Sequence, residues 1–220
     1  NQLPRLTKIY KFILIIIYMK KELIIIIILL SIVPIYAQAN NEGSIIVEVL
    51  FTNCSLHFEP GWNLFSFCNE LQEKDLLQVL TEINGKYRYV LHWDKAVQQF
   101  DIYSPRSEKN PFTNLDDNES YFLYALQEID VKINGAEAGP ELRDLAEGWS
   151  TPSYPYQKSR PVDVVIASFY DQFRYLMKYD ASIQQFQIYS KLSNKNPFST
   201  LNMGDGQFTY AYNDTTLTYL

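Results

Sequence analysis

The sequence predicts a β-rich α+β protein built from two tandem pseudo-symmetric copies of one small module, each with about five short strands and one helix, and with a core shared between the copies. Three observations carry this. The chain matches itself at an offset of 86, with 18 identities in 38 positions over residues 88–125 and no gap. Each copy shows period-two apolar alternation, Tyr89-x-Leu91-x-Trp93 in one and Tyr175-x-Met177-x-Tyr179 in the other, the mark of a half-buried strand. Aromatic residues make up 15% of the 220 positions, a content that disordered chains do not carry.

The opening residues stand apart from the repeat. The first methionine is Met19, so residues 1–18 read as an upstream segment that is untranslated or a fragment. Met19 to Ala39 has a basic start (Lys20-Lys21), an apolar run from Leu23 to Val33 and an Ala37-x-Ala39 end. These are the three parts of a secretory signal peptide, with cleavage expected after Ala39. The rival reading is an uncleaved N-terminal anchor, for which Leu23 to Ile35 is short against the ~20 residues of a membrane span. Cleavage would remove five basic residues and one acid, changing the formal charge from −6 to −10 over 181 residues. Such an acidic chain offers no electrostatic footprint for nucleic acid. The first copy then occupies 40–138 and the second 139–220.

Within each copy the order of elements repeats. Pro60-Gly61 marks a turn between the apolar runs 56–58 and 64–67. Leu76, Leu77, Leu80 and Ile83 are spaced for one apolar helix face over 71–83, and Val162 to Phe169 is the counterpart. After the alternating strand, a turn at Asp94 to Val97 leads to a second strand, where Phe100 and Ile102 match Phe186 and Ile188 and are expected in the core. Asn110-Pro111, repeated as Asn196-Pro197, suits a helix start with Asn as cap. Each copy closes on Tyr121 to Leu126 and Ile129 to Ile133, or their equivalents.

Gly61-Trp62-Asn63-Leu64, Gly85-Lys86-Tyr87, Trp93-Asp94, Phe100-x-Ile102-Tyr103 and Tyr121-Phe122 together resemble the Gly-Trp-Asn-type tandem repeats of large cell-surface and S-layer-associated proteins of archaea and some bacteria. The resemblance covers residues 55–220 and implies a surface location with a structural or binding role, and it carries no activity over to this chain. The second copy departs from it, with Ser150-Thr151-Pro152 after its Gly148-Trp149 and Asp171-Gln172-Phe173 in place of Gly-Lys-Tyr.

Several residues are candidates for chemistry. Cys54 and Cys68 flank the Pro60-Gly61 turn, and a hairpin there would bring them within disulfide reach, as suits an oxidising compartment. Asn53, Asn118 and Asn213 begin Asn-x-Ser/Thr sequons that a glycosylating host would modify. Gln99, Tyr103, Gln185 and Tyr189 recur on the strand face opposite Phe100 and Ile102. An exposed face of that composition could stack on sugar rings, with two copies giving avidity. His92 aligns with Lys178 and reads as an exposed polar position, and Asp116 to Ser120 as a solvated turn in place of a Ca²⁺ loop. No metal site, cofactor, activated nucleophile or phosphate loop is expected.

The function expected from the sequence is a secreted or cell-surface, non-catalytic structural or adhesion module of the envelope. Its partners would be other envelope proteins or surface glycans, and it would meet the membrane only through the signal peptide or an uncleaved anchor. The alternative is a carbohydrate-binding protein using the Tyr/Gln face, and the third reading is a secreted hydrolase.

Overall fold

The computed structural model describes residues 13–19, 22–28, 35–39, 45–49, 51–139 and 141–219. It divides into two compact units, residues 1–50 and 51–220. In the first unit, β1 (Ile13–Met19) pairs antiparallel with β2 (Glu22–Ile28), and β3 (Ile35–Ala39) with β4 (Ile45–Val49). These Ile- and Val-rich runs favour the extended backbone. Lys20-Lys21 and Asn40, on which the leader and its cleavage point depend, lie outside the described residues, as does most of the upstream segment. Among the described residues no helix is long and apolar enough to cross a membrane.

The second unit is β-rich. Its first half contains β5 (Phe51–Phe58), β6 (Gly61–Ser66), β7 (Glu70–Leu71), α1 (Leu76–Val79), a 3-10 turn (Thr81–Ile83), β8 (Tyr87–Asp94), β9 (Gln99–Tyr103), β10 (Ser120–Ala125) and β11 (Ile129–Ala136). The other half contains β12 (Glu141–Leu145), β13 (Gly148–Ser150), β14 (Arg160–Pro161), α2 (Val162–Val165), a 3-10 turn (Ala167–Phe169), β15 (Phe173–Asp180), β16 (Gln185–Ser190), β17 (Thr200–Leu201), β18 (Phe208–Ala211) and β19 (Thr215–Tyr219). Two four-stranded antiparallel sheets dominate, with strand orders β6-β10-β8-β9 and β13-β18-β15-β16. Smaller sheets, β5-β11-β7 in one half and β12-β19 with β14-β17 in the other, close each half.

One face of each large sheet packs inside its own half. In the first half, Val90, Tyr121, Leu123, Phe65 and Tyr103 meet Leu76, Leu80 and Ile83 of the helical turns and the inner residues of β5 and β11. In the second half, Phe173 and Leu176 meet Val162, Val165, Ile166 and Phe169. The opposite sheet faces meet each other, and Leu64, Phe122 and Phe208 form a third buried cluster between the halves, flanked by Trp62, Trp93, Trp149 and Tyr179.

Three local expectations are corrected. The helix expected over 71–83 shrinks to one α turn and one 3-10 turn. Asp117 accepts the Leu71 amide and Leu115 donates to the Lys74 carbonyl, so the chain cannot wind until Asp75 caps the turn by accepting from Gln78. Leu77, read as part of the apolar face, is exposed. Asn110 caps no helix: its side chain accepts from the Ser104 amide at 2.9 Å and donates to the carbonyls of Ser104 and Ser107, clamping an irregular loop. Asn196 clamps the second loop in the same way through Ser190 and Ser193. Finally, β5 and β6 are not a hairpin. They belong to different sheets, β5 pairing with β11 and β6 with β10.

Candidate functional site

Cys54 on β5 and Cys68 beyond β6 are nevertheless joined by a disulfide, with a Cα separation of 5.4 Å. The bridge therefore ties one sheet to the next. Both cysteines are buried, and the Cys68 amide donates to Cys54 Sγ.

The recurring Gly-Trp and Gln motifs turn out to be partners of each other. The four-residue loops after β8 and β15 end in Gln98 and Gln184, whose φ values of 55° and 53° lie in the left-handed region that non-glycine residues seldom enter. Each glutamine reaches the other half. The Trp62 amide donates to Gln184 Oε1 at 2.8 Å, and Gln184 Nε2 donates back to the Trp62 carbonyl at 3.0 Å. Reciprocally, the Trp149 amide donates to Gln98 Oε1 at 2.9 Å, and Gln98 Nε2 donates to the Trp149 carbonyl at 2.8 Å. The preceding glycines make this possible. Gly61 and Gly148 have φ of 102° and 92°, and a Cβ on either would lie 2.7 Å or 2.8 Å from the glutamine Oε1. Asn63 completes the first motif by clamping Glu59 and Gly61, and Ser150, which replaces it in the second, accepts the Ala146 amide.

A polar seam continues the junction. Ser120 donates to the Pro152 carbonyl and accepts the Gln207 amide, while Ser66 donates to the Asp205 carbonyl and accepts the Tyr154 amide. Beside it, buried Arg143 pairs with Glu141, and its Nε donates to Ser153 Oγ at 3.2 Å. Burial holds its guanidinium below the usual arginine range. A polar cleft lined by Lys95, Asp116, Asn118, Glu119, Arg143 and Asp144 opens on this seam.

The Tyr/Gln face expected to meet glycans is not arranged as one. Gln99 and Gln185 are exposed, but Tyr103 is only 4% exposed and packs with Phe112, while Tyr189 is half-buried against Phe173 and Phe198. The residues expected in the core, Ile102 and Ile188, are the exposed ones, 53% and 50%. Only Phe100 and Phe186 on that face reach the inter-half cluster, each touching both Phe122 and Phe208. His92, expected to be exposed, is half-buried beside Tyr121 and ion-paired with Glu119. That hydrogen bond raises its pKa against the opposing effect of burial, with Asp101 and Asp94 adding to the rise. Lys178 and Asp205 form the corresponding pair in the second half.

The acidic stretch 116–120 serves the fold. Asp116 accepts the Asn118 amide, and the Asp116 amide donates to the Tyr121 hydroxyl. Among the described residues no group of three or more His, Cys, Asp or Glu side chains is placed to hold a metal ion. Asn53, Asn118 and Asn213 are all exposed. The chemistry available at the junction is therefore reciprocal docking of backbone by side-chain amides, a signal the repeated residues carried without showing whom they bound. No family model, curated protein or solved structure matches the chain.

Proposed function

We propose that the chain is an exported, non-catalytic structural or adhesion module of the cell envelope, a tandem pseudo-twofold duplication of the Gly-Trp-Asn type. The observation that carries this reading is that the repeated motifs, Gly61-Trp62 with Gln184 and Gly148-Trp149 with Gln98, hold the two halves together. Recurring residues used for cohesion are what a structural repeat requires. The Cys54–Cys68 bridge supports an oxidising location, since such bonds persist outside the cytosol. Surface glycans or other envelope proteins are the partners this reading names.

The test is fractionation of cells expressing the reading frame, with N-terminal sequencing of the chain. The expected result is recovery from the envelope or medium, an N-terminus at Asn40 and an oxidised Cys54–Cys68 pair. Recovery from the cytosol with both thiols reduced would overturn the reading.

Carbohydrate binding remains the second reading on one specific observation. Arg174 lies over the rings of Tyr175, Tyr210 and Tyr212, a row of tyrosines at the surface of the second half. On this reading the sugar face moves from Tyr103 and Tyr189 to that row. Glycan-array binding that survives Tyr210→Ala with Tyr212→Ala would reject it.

A further inference from the structure

The two large sheets each end in an edge strand, β9 in the first half and β16 in the second. Folded proteins protect such edges with charges, proline or bulges, because an open strand templates pairing with another chain. β9 is protected in this way. Asp101 sits at its centre, Pro105 follows its end, and Arg106 stands next in the loop. At the positions 86 residues later, β16 has Gln187 and the loop has Lys191 and Leu192. Lys191 is turned away, its Nζ donating to the Tyr170 carbonyl and lying over the Tyr170 ring at 4.5 Å.

The β16 edge is thus six residues, Gln185 to Ser190, without a formal charge, a proline or a bulge in its pairing with β15. On one face it presents Phe186 and Ile188, 45% and 50% exposed, with Leu192 beyond them at 87%. Phe186 is continuous with the inter-half interface through Phe122 and Phe208. The Asn196 side chain takes the Ser190 amide and carbonyl, so the open stretch of this edge ends at Tyr189, and a neutral strand of this kind is matched by another of the same kind.

We propose that a second copy of this chain docks on this edge, β16 pairing antiparallel with β16 of the copy about a twofold axis at Gln187. This register sets Phe186 of each chain opposite Ile188 of the other and puts the neutral Gln187 side chains face to face. The same arrangement on β9 would place two Asp101 carboxylates directly opposite, which like charges disfavour. The two-fold contact is self-complementary and closes, so it yields a dimer and not a fibre. The proposal concerns self-association and stands whether or not the chain is an envelope protein.

The experiment uses the full chain with its Cys54–Cys68 bridge formed, studied by sedimentation over a concentration series. The expected result is a dimer whose mass halves in Ile188→Lys, while Ile102→Lys, the equivalent change on β9, leaves it intact. Gln187→Cys, in which the native cysteines are already paired, is expected to form a covalent dimer on mild oxidation, and Asp101→Cys is not. Paired strands bring Cα atoms to about 4.5–5.5 Å, within disulfide range. The Gln187→Cys result keeps the proposal testable if Ile188→Lys fails to fold, as judged by circular dichroism. A wild-type monomer at every concentration would overturn it, as would equal effects of the β9 and β16 changes. A monomer that floats with neutral phospholipid vesicles would also overturn it and assign the apolar edge to a lipid surface.

Discussion

At the scale of single residues, the most consequential positions are the two glycines ahead of the tryptophans. Gly61→Ala places a Cβ 2.7 Å from Gln184 Oε1 on a backbone with φ of 102°, so it suffers both steric conflict and left-handed strain. The strain alone is worth about 1–2 kcal/mol. In a Gln184→Ala background the conflict disappears and only the backbone cost remains, so urea unfolding should show a smaller penalty for Gly61→Ala there. Equal penalties in the two backgrounds would show that the glutamine is not what Gly61 accommodates. His92 gives a pH signature. Its pKa is raised in the folded state by Glu119, so its contribution is complete below the unfolded value of about 6.5 and is lost as pH rises through the folded value. Stability should therefore decline more steeply between about pH 5.5 and 8 in the wild type than in His92→Gln, as measured by urea unfolding at each pH. His57, raised in the same direction by Asp130 and Glu59, contributes the same sign in both proteins and cancels in that comparison. The sequence identified Gln98 and Gln184 as repeated. It could not show that each serves the other half, because spacing along a chain does not report contacts across it.

At the scale of elements, the disulfide illustrates a correct pairing reached through an incorrect geometry. The turn at Pro60-Gly61 suggested a hairpin, yet Phe58 and Phe65 are both buried and β5 and β6 part into separate sheets. The bridge then holds a corner where no hydrogen-bond ladder runs. Reducing it, or replacing both residues in Cys54→Ser with Cys68→Ser, should lower stability by about 3 kcal/mol, the loop-closure value for a span of this length. A denaturation midpoint indifferent to reductant would contradict this. Face assignment of β9 and β16 was illegible for a definite reason. Both sides of each large sheet are apolar, because one packs inside its half and the other meets the second half. Period-two alternation then marks the strand but not the side on which its core lies. Apolar spacing overstates the length of the helices because the hydrogen bonds that unwind residues 71–74 come from the distant loop 113–117.

At the scale of the molecule, the two halves should unfold as one. Phe122 of the first half touches Tyr179, Phe186 and Phe208 of the second, and truncating a buried phenylalanine costs about 3–5 kcal/mol. Phe122→Ala should therefore lower amide protection in β15 and β18 as well as in β8 and β10, measured by hydrogen exchange. Loss confined to the first half would mean that the halves are separate cooperative units. Repetition, strand content and the cysteine pair were legible from the sequence, because identity, alternation and spacing are local properties. The junction was not, since it is made from residues about 120 and 50 positions apart. That crossed fastening implies a rule of parity. Each half supplies one glutamine and one open Gly-Trp socket, and two halves satisfy both sockets with nothing left over. A third half added to the same chain would bring a glutamine without a vacant socket and a socket without a glutamine. The two halves of this chain therefore close on each other, and a third could engage only by opening one of the two fastenings.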